Sequence, residues 1–164
     1  MFRFGFPFFL GFSCRLLCKG AAFPTFNGNN VTFTPGSTEK LVWSFTGDIK
    51  SFSYRIWTFT PSDGQPQVAL AKIIGDDEVK ILNTLYQFAV EKPATLVLKN
   101  VDITYNGTYT FSLTPNGGES NVIVYIAVKP NVAASRNRIT VNEGGDVSCV
   151  CQGQGGNPPA DVTW

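Results

Sequence analysis

One stretch of the sequence, residues 95–113 (TLVLKNVDITYNGTYTFSL), most constrains how this chain folds. Leu96, Leu98 and Val101 recur with the spacing of a strand that buries one face and then leaves its sheet, and Tyr109, Phe111 and Leu113 alternate in the next run. Alternation with a period of two is typical of strands that bury one face. Asn106-Gly107 is a strong turn dipeptide between the two runs. The stretch therefore predicts two buried strands joined by a tight corner.

The rest of the chain repeats this pattern. From Phe23 onward, short runs with β-type composition are separated by Gly, Pro, Asn and Asp, and no helical periodicity is sustained. An all-β sandwich is the fold class that this pattern favours. The predicted strands before the organising stretch are residues 30–33, 40–45, 51–60, 67–74 and 81–90. A closing strand carries Val122, Val124, Ile126 and Val128.

Residues 95–113 resemble the E strand, corner and F strand of an immunoglobulin domain, which carry a Gly-x-Tyr-x-Cys run. Gly107 and Tyr109 match that run, whereas Phe111 stands at the usual position of the second cysteine. By the same comparison, Trp43 takes the position of the first cysteine. The resemblance implies an immunoglobulin-like antiparallel β-sandwich with Greek-key connections, in which Trp43 and Phe111 face each other where a disulfide normally stands. Such a domain is expected to fold without oxidation.

A second departure from the family lies at the corner. Tyr105 stands where an aspartate is usual, and the arginine with which that aspartate pairs is missing near Phe88, where the chain has Tyr86 and Gln87. The resemblance implies that both partners of the salt bridge have been replaced together.

The extra strand at residues 67–74 makes the domain similar to the variable type. The preceding predicted strand, residues 51–60, has two candidates for its core aromatic residue. If Trp57 points inward, alternation also turns Arg55 inward. If Tyr54 points inward, Trp57 is exposed on the sheet face that variable-type domains commonly use for partners, where it would be a candidate hot spot.

Four segments are expected along the chain. Residues 1–22 resemble a secretory signal peptide, with an early cation, an apolar run and a small-residue ending. Residues 23–129 form the variable-like domain, and residues 130–138 form a linker. Residues 139–164 resemble the start of an I-set immunoglobulin domain that is truncated after its third strand. In that comparison Cys151 is a bridging cysteine whose partner lies beyond the chain, and Trp164 is the core tryptophan.

Composition argues against several function classes. The chain has no histidine, which removes the usual general base near neutral pH and most zinc sites. Its 13 Lys and Arg against 12 Asp and Glu form no basic stripe, so we expect no nucleic-acid partner. No motif points to a catalytic site, a metal or a cofactor. Outside the leader, no apolar run reaches the roughly 20 residues of a membrane span, so membrane attachment is expected only through a segment absent from this chain.

Two triplets fit the acceptor pattern for N-linked glycans, at Asn30 and at Asn106. Both fall at predicted strand ends or turns. Asn106 is the weaker candidate, because a tight corner would hide its amide.

These features together predict a non-enzymatic extracellular recognition module, on the cell surface or secreted. Its expected partner is a protein ligand or another cell-surface protein, including a second copy of the same chain. Two alternatives remain: the ectodomain of a receptor tyrosine kinase or phosphatase without its catalytic part, and a secreted soluble recognition protein. The predicted structural core comprises Trp43, Trp57, Leu98, Tyr109, Phe111 and Trp164.

Overall fold

The computed structural model describes residues 25–45, 54–114, 117–134, 140, 142–146, 148 and 150–159. Within them the chain is built almost entirely from strands, with one short 3₁₀ turn at Ile103–Tyr105. The strands are β1 (Thr25–Phe26), β2 (Asn30–Phe33), β3 (Glu39–Ser44), β4 (Tyr54–Pro61), β5 (Val68–Ile74), β6 (Lys80–Ile81), β7 (Phe88–Glu91), β8 (Thr95–Leu98), β9 (Gly107–Thr114), β10 (Glu119–Ile126), β11 (Asn131–Ala134) and β12 (Cys151–Gln154). The predicted all-β sandwich is confirmed. The proposed signal peptide, residues 1–22, lies outside the described residues.

Two sheets make the sandwich. The smaller has the strand order β1-β3-β8-β7, and the larger has the order β2-β10-β9-β4-β5-β6. Neighbouring strands are antiparallel except β2 and β10, which run parallel. The core lies between the sheets because each long strand alternates buried and outward side chains. Leu41, Trp43, Leu96 and Leu98 come from the smaller sheet, and Trp57, Phe59, Tyr109, Phe111, Val122 and Val124 from the larger.

The prediction of one strand over residues 81–90 is wrong. The structure has two strands there, on different sheets: β6 pairs with β5, and β7 pairs with β8. Between them the Asn83 side chain accepts a hydrogen bond of 2.8 Å from the Leu85 backbone N–H. This local turn interrupts the ladder and lets the chain cross from the larger sheet to the smaller one.

The corner after β8 also differs from its prediction. The chain reverses through the 3₁₀ turn at Ile103–Tyr105, which Asp102 caps by accepting a 2.9 Å hydrogen bond from the Thr104 backbone N–H. Gly107, predicted to be a turn residue, is instead the first residue of β9. Its φ of +149° and its close approach to Phe59 explain the glycine, because an added Cβ would lie 2.8 Å from that ring.

The C-terminal segment adds a two-stranded antiparallel sheet, in which β11 pairs with β12. β11 lies inside residues 130–138, which were expected to form a linker. Cys151 opens β12, whereas Trp164 lies outside the described residues. Asn157 bridges to Val128 through backbone hydrogen bonds of 2.8 and 3.1 Å. In the part of the chain that is described, no helix is long and apolar enough to cross a membrane.

Candidate functional site

Three aromatic rings occupy the centre of the core behind the larger sheet. The rings of Trp43 and Phe111 lie 5.7 Å apart between centroids, and Trp57 lies 4.9 Å from Phe111. Trp57 is fully buried, whereas Tyr54 is 41% exposed. Trp57 is therefore the core aromatic of its strand. The alternative with an exposed Trp57 hot spot is wrong, because β4 presents its other face to solvent.

Arg55 turns inward together with Trp57 and is only 1% exposed. Its guanidinium donates to the Gly75 carbonyl oxygen at 2.6 Å and to the Pro93 carbonyl oxygen at 3.3 Å. Burial lowers the pKa of Arg55, and the nearby Asp76 carboxylate acts in the opposite direction. Arg55 therefore ties β4 to the loop after β5 and to the turn between β7 and β8.

Hydrogen bonds of two tyrosine hydroxyls stabilise the corner that precedes β9. The buried Tyr109 hydroxyl donates to the Tyr105 carbonyl oxygen at 3.1 Å, and burial raises the pKa of Tyr109 far above its usual range. The Tyr105 hydroxyl accepts a 2.8 Å hydrogen bond from the Gln87 backbone N–H. The Tyr105 ring also meets Tyr86 edge-on at 5.5 Å. Tyr105 thus stabilises this corner with a hydrogen bond and a ring contact, at the position where immunoglobulin domains usually have a salt bridge.

We define the outer face as the solvent side of β10, β9, β4 and β5. It contains a shallow concavity of about 390 Å³. The lining includes the side chains of Thr58, Thr60, Thr108, Thr110, Ser112 and Glu119. Because hydroxyls both donate and accept hydrogen bonds, this surface can pair with many polar groups of a partner.

A transverse row crosses the outer face at the level of Ile56. Ile56 is paired with Lys72 on one side and with Ser112 on the other, and Ser112 is paired with Glu119. Directly paired residues share a face of the sheet. Within the outer face the row consequently has Lys72 at one end, Glu119 at the other, and Ile56 and Ser112 between them. Lys80 of β6 is paired with Lys72 and adds a second lysine beyond that end.

Apolar side chains lie next to this row, where β4 begins and β5 ends. Tyr54 and Ile74 are paired across β4 and β5, and both are exposed. The outer face therefore combines an apolar end with a hydroxyl-rich centre. Mixed surfaces of this kind are common in protein interfaces.

The two glycan candidates differ in accessibility. Asn30 is exposed and is paired with Ile123 at the β2 edge of the larger sheet. Asn106 is half-buried, and its Oδ1 accepts hydrogen bonds from the Ile126 backbone N–H at 2.6 Å and from Asn157 Nδ2 at 3.0 Å. Asn157 Nδ2 also donates to the Ile126 carbonyl oxygen at 2.7 Å. Asn106 thus has a structural role in joining β9, β10 and the C-terminal segment.

Sequence reasoning identified Trp43, Leu98, Tyr109 and Phe111, all of which the structure buries. It did not identify the outer-face residues as a site. Alternation in β4 and β9 indicates that these residues point outward. The sequence of a single strand does not show which residues of the neighbouring strands lie beside them. Among the described residues no group of three or more His, Cys, Asp or Glu side chains could hold a metal ion. No family model matches the chain.

Proposed function

We propose that this chain is an extracellular recognition module of the immunoglobulin superfamily, which binds a protein through the outer face and catalyses no reaction. The observation that carries the proposal is the strand order of the sandwich. A variable-type domain has four strands, A-B-E-D, in one sheet and an enlarged G-F-C sheet with two added strands. β1-β3-β8-β7 corresponds to the first order and β10-β9-β4-β5-β6 to the second, with β2 added beside β10.

The corner supports the same assignment. In this superfamily a tyrosine two residues before the second cysteine position ties its hydroxyl to backbone upstream. Tyr109 lies two residues before Phe111 and donates to the Tyr105 carbonyl oxygen. The pairing of β11 with β12 supports a second domain, since it would represent the first two strands of a new sheet.

The composition of the outer face supports protein recognition. Ile56 and Tyr54 provide apolar area, and the surrounding threonines provide hydrogen-bonding groups. Protein interfaces likewise combine apolar area with polar contacts. The exposed acceptor at Asn30 supports passage through the secretory pathway.

Secretion and surface binding test the proposal together. The full chain, carrying a C-terminal tag, is expressed in mammalian cells, and we expect it in the medium with its leader removed. Multimers of the secreted protein are then titrated onto a panel of cells with and without protease treatment. We expect saturable binding that protease abolishes and that Ile56→Arg reduces at least tenfold, because a buried interface charge is costly.

Val42→Arg is the matched control. Val42 is exposed on the outer side of the smaller sheet, on the opposite surface of the sandwich. We expect this variant to bind like the unmodified chain. Retention of the protein inside the cell would overturn the proposed extracellular role, and equal loss of binding in both variants would overturn the proposed role of the outer face.

A further inference from the structure

The charges at the two ends of the transverse row are arranged symmetrically. Lys72 lies on β5 and Glu119 on β10, each one strand beyond the central pair β4 and β9. With neighbouring strands about 4.8 Å apart, each Cα lies roughly 7 Å from the line between β4 and β9. Lys72 and Glu119 are therefore at equal distances from this midline and opposite in charge, and Lys80 of β6, which is paired with Lys72, lies beyond the row on the lysine side.

We propose that the outer face binds a second copy of this chain, and that Lys72 of each copy pairs with Glu119 of the other. This inference rests on the proposed function and names the partner of that same surface. The dimer is isologous, so the same patch contributes on both sides. Its two-fold axis lies in the interface, parallel to the strands and between β4 and β9.

Rotation about this axis exchanges the two ends of each row. A second outer face laid on the first therefore places its Glu119 over Lys72, and its Ser112 over Ile56. Like charges would meet if the axis ran along the row, since Lys72 would then lie over Lys72. Because like-charge contacts across an interface are unfavourable, the charges select the axis parallel to the strands.

The neighbouring row is compatible with the same axis. It contains Ala69, Thr58, Thr110 and Asn121 in paired positions. After rotation Thr58 faces Thr110, and the small Ala69 leaves room for Asn121. No charged groups meet in this row, although the Thr58 hydroxyl already accepts a 3.0 Å hydrogen bond from Gln67 Nε2 and Thr110 is only 8% exposed. Two sheets packed in this way keep their strands within about 30° of each other, which is the usual aligned geometry.

Asn30 lies outside this central area. It is on β2, two strands beyond β9, so a glycan there stands roughly 10 Å from β9 along the row direction.

Charge reversal gives a direct test. The full chain is studied by sedimentation velocity from about 1 µM to 1 mM, with a reductant present so that the thiols of Cys149 and Cys151 form no crosslinks. We expect reversible dimers that weaken as salt is raised. Lys72→Glu and Glu119→Lys should each weaken dimerisation about tenfold or more, since both ion pairs become like-charge pairs.

Mixing the two variants distinguishes this geometry from a general loss of binding. A heterodimer of Lys72→Glu with Glu119→Lys restores both opposite-charge contacts, so the mixture should dimerise as the unmodified chain does. This recovery also shows that both variants are folded. Lys99→Glu, an exposed change beside the smaller sheet, is the matched control and should have no effect.

Each remaining outcome overturns the inference. A chain that stays monomeric up to 1 mM does not self-associate, and dimers insensitive to the charge reversals use another surface. A mixture that fails to recover excludes the Lys72 to Glu119 pairing. If the chain is monomeric while its cell binding is still reduced by Ile56→Arg, the outer face recognises a different protein and the proposed function stands.

Discussion

The rings of Trp43 and Phe111 lie 5.7 Å apart, on opposite sheets of the sandwich, and form the central contact between the two sheets. Trp43 also donates from Nε1 to the Ser120 carbonyl oxygen at 3.2 Å, so its indole reaches β10 as well. Aromatic pairs contribute about 0.5–1.5 kcal/mol beyond the area that they bury. At this position the two sheets are therefore held together by non-covalent packing and not by a covalent crosslink.

This packing predicts that the sandwich is insensitive to reductant. Thermal unfolding of the chain, followed by tryptophan fluorescence, should give the same midpoint with and without excess dithiothreitol. Loss of a native disulfide typically costs about 2–5 kcal/mol, which would shift the midpoint by several degrees. A shift of that size would mean that a disulfide elsewhere in the chain contributes to its stability.

Removing the corner hydroxyl should destabilise the sandwich. Tyr109→Phe deletes the 3.1 Å hydrogen bond to the Tyr105 carbonyl oxygen and leaves that acceptor beside a buried ring. We expect a loss of about 1–2 kcal/mol in the free energy of unfolding, measured by urea denaturation. Tyr54→Phe is the control, because Tyr54 is half-exposed on the outer face and should change stability by less than about 0.5 kcal/mol.

The same hydroxyl predicts a dependence of stability on alkaline pH. Burial raises the pKa of Tyr109 above its ordinary value of 10.0, so below about pH 10 the folded and unfolded chains both keep the proton. Above that pH only the unfolded chain releases it, and stability falls by up to about 1.4 kcal/mol per pH unit. Tyr86, whose pKa burial also raises, acts in the same direction.

Urea denaturation of the unmodified chain and of Tyr109→Phe, at several values between about pH 9 and 11, measures this effect. We expect a shallower fall in the variant, since its residue at 109 releases no proton. Identical slopes for the two proteins would show that the Tyr109 hydroxyl is accessible to ionisation in the folded state.

Substitution of Gly107 should strongly destabilise the sandwich. A Cβ at this position meets the Phe59 ring at 2.8 Å and the Pro61 Cα at 3.0 Å, and comes closer still to the Thr60 carbonyl oxygen. Because these atoms belong to the buried pairing of β4 with β9, we expect Gly107→Ala to cost about 3 kcal/mol or more.

Gly64→Ala separates this steric effect from backbone strain. Gly64 also has a positive φ, of +85°, but no atom lies within 4 Å of an added Cβ. Its substitution should cost only about 1 kcal/mol, from conformational strain alone. Comparable losses for the two variants in thermal or urea unfolding would contradict the close approach of β4 to Gly107.

Alternation along each strand was sufficient to predict the sandwich and most of its core, since a period of two depends only on neighbouring residues. It failed at residues 81–90, where the same composition serves two strands on different sheets. The composition of this segment does not show that the chain passes from the larger sheet to the smaller one between β6 and β7. That passage depends on the strands with which each segment pairs, and these are distant in sequence. The choice between Trp57 and Tyr54 was open for a similar reason: two registers of one strand each bury an aromatic residue.

By itself, the sequence determined the all-β class and the positions that alternate along each strand, because these follow from local spacing and turn chemistry. Only the tertiary structure decided that Arg55 is buried, that Tyr105 bonds to the Gln87 backbone, and that Lys72 and Glu119 end one row of the outer face. These relationships join residues far apart in the chain. They depend on the lateral register of strands and on contacts between layers, which hydrogen bonding and packing set together when the sandwich closes.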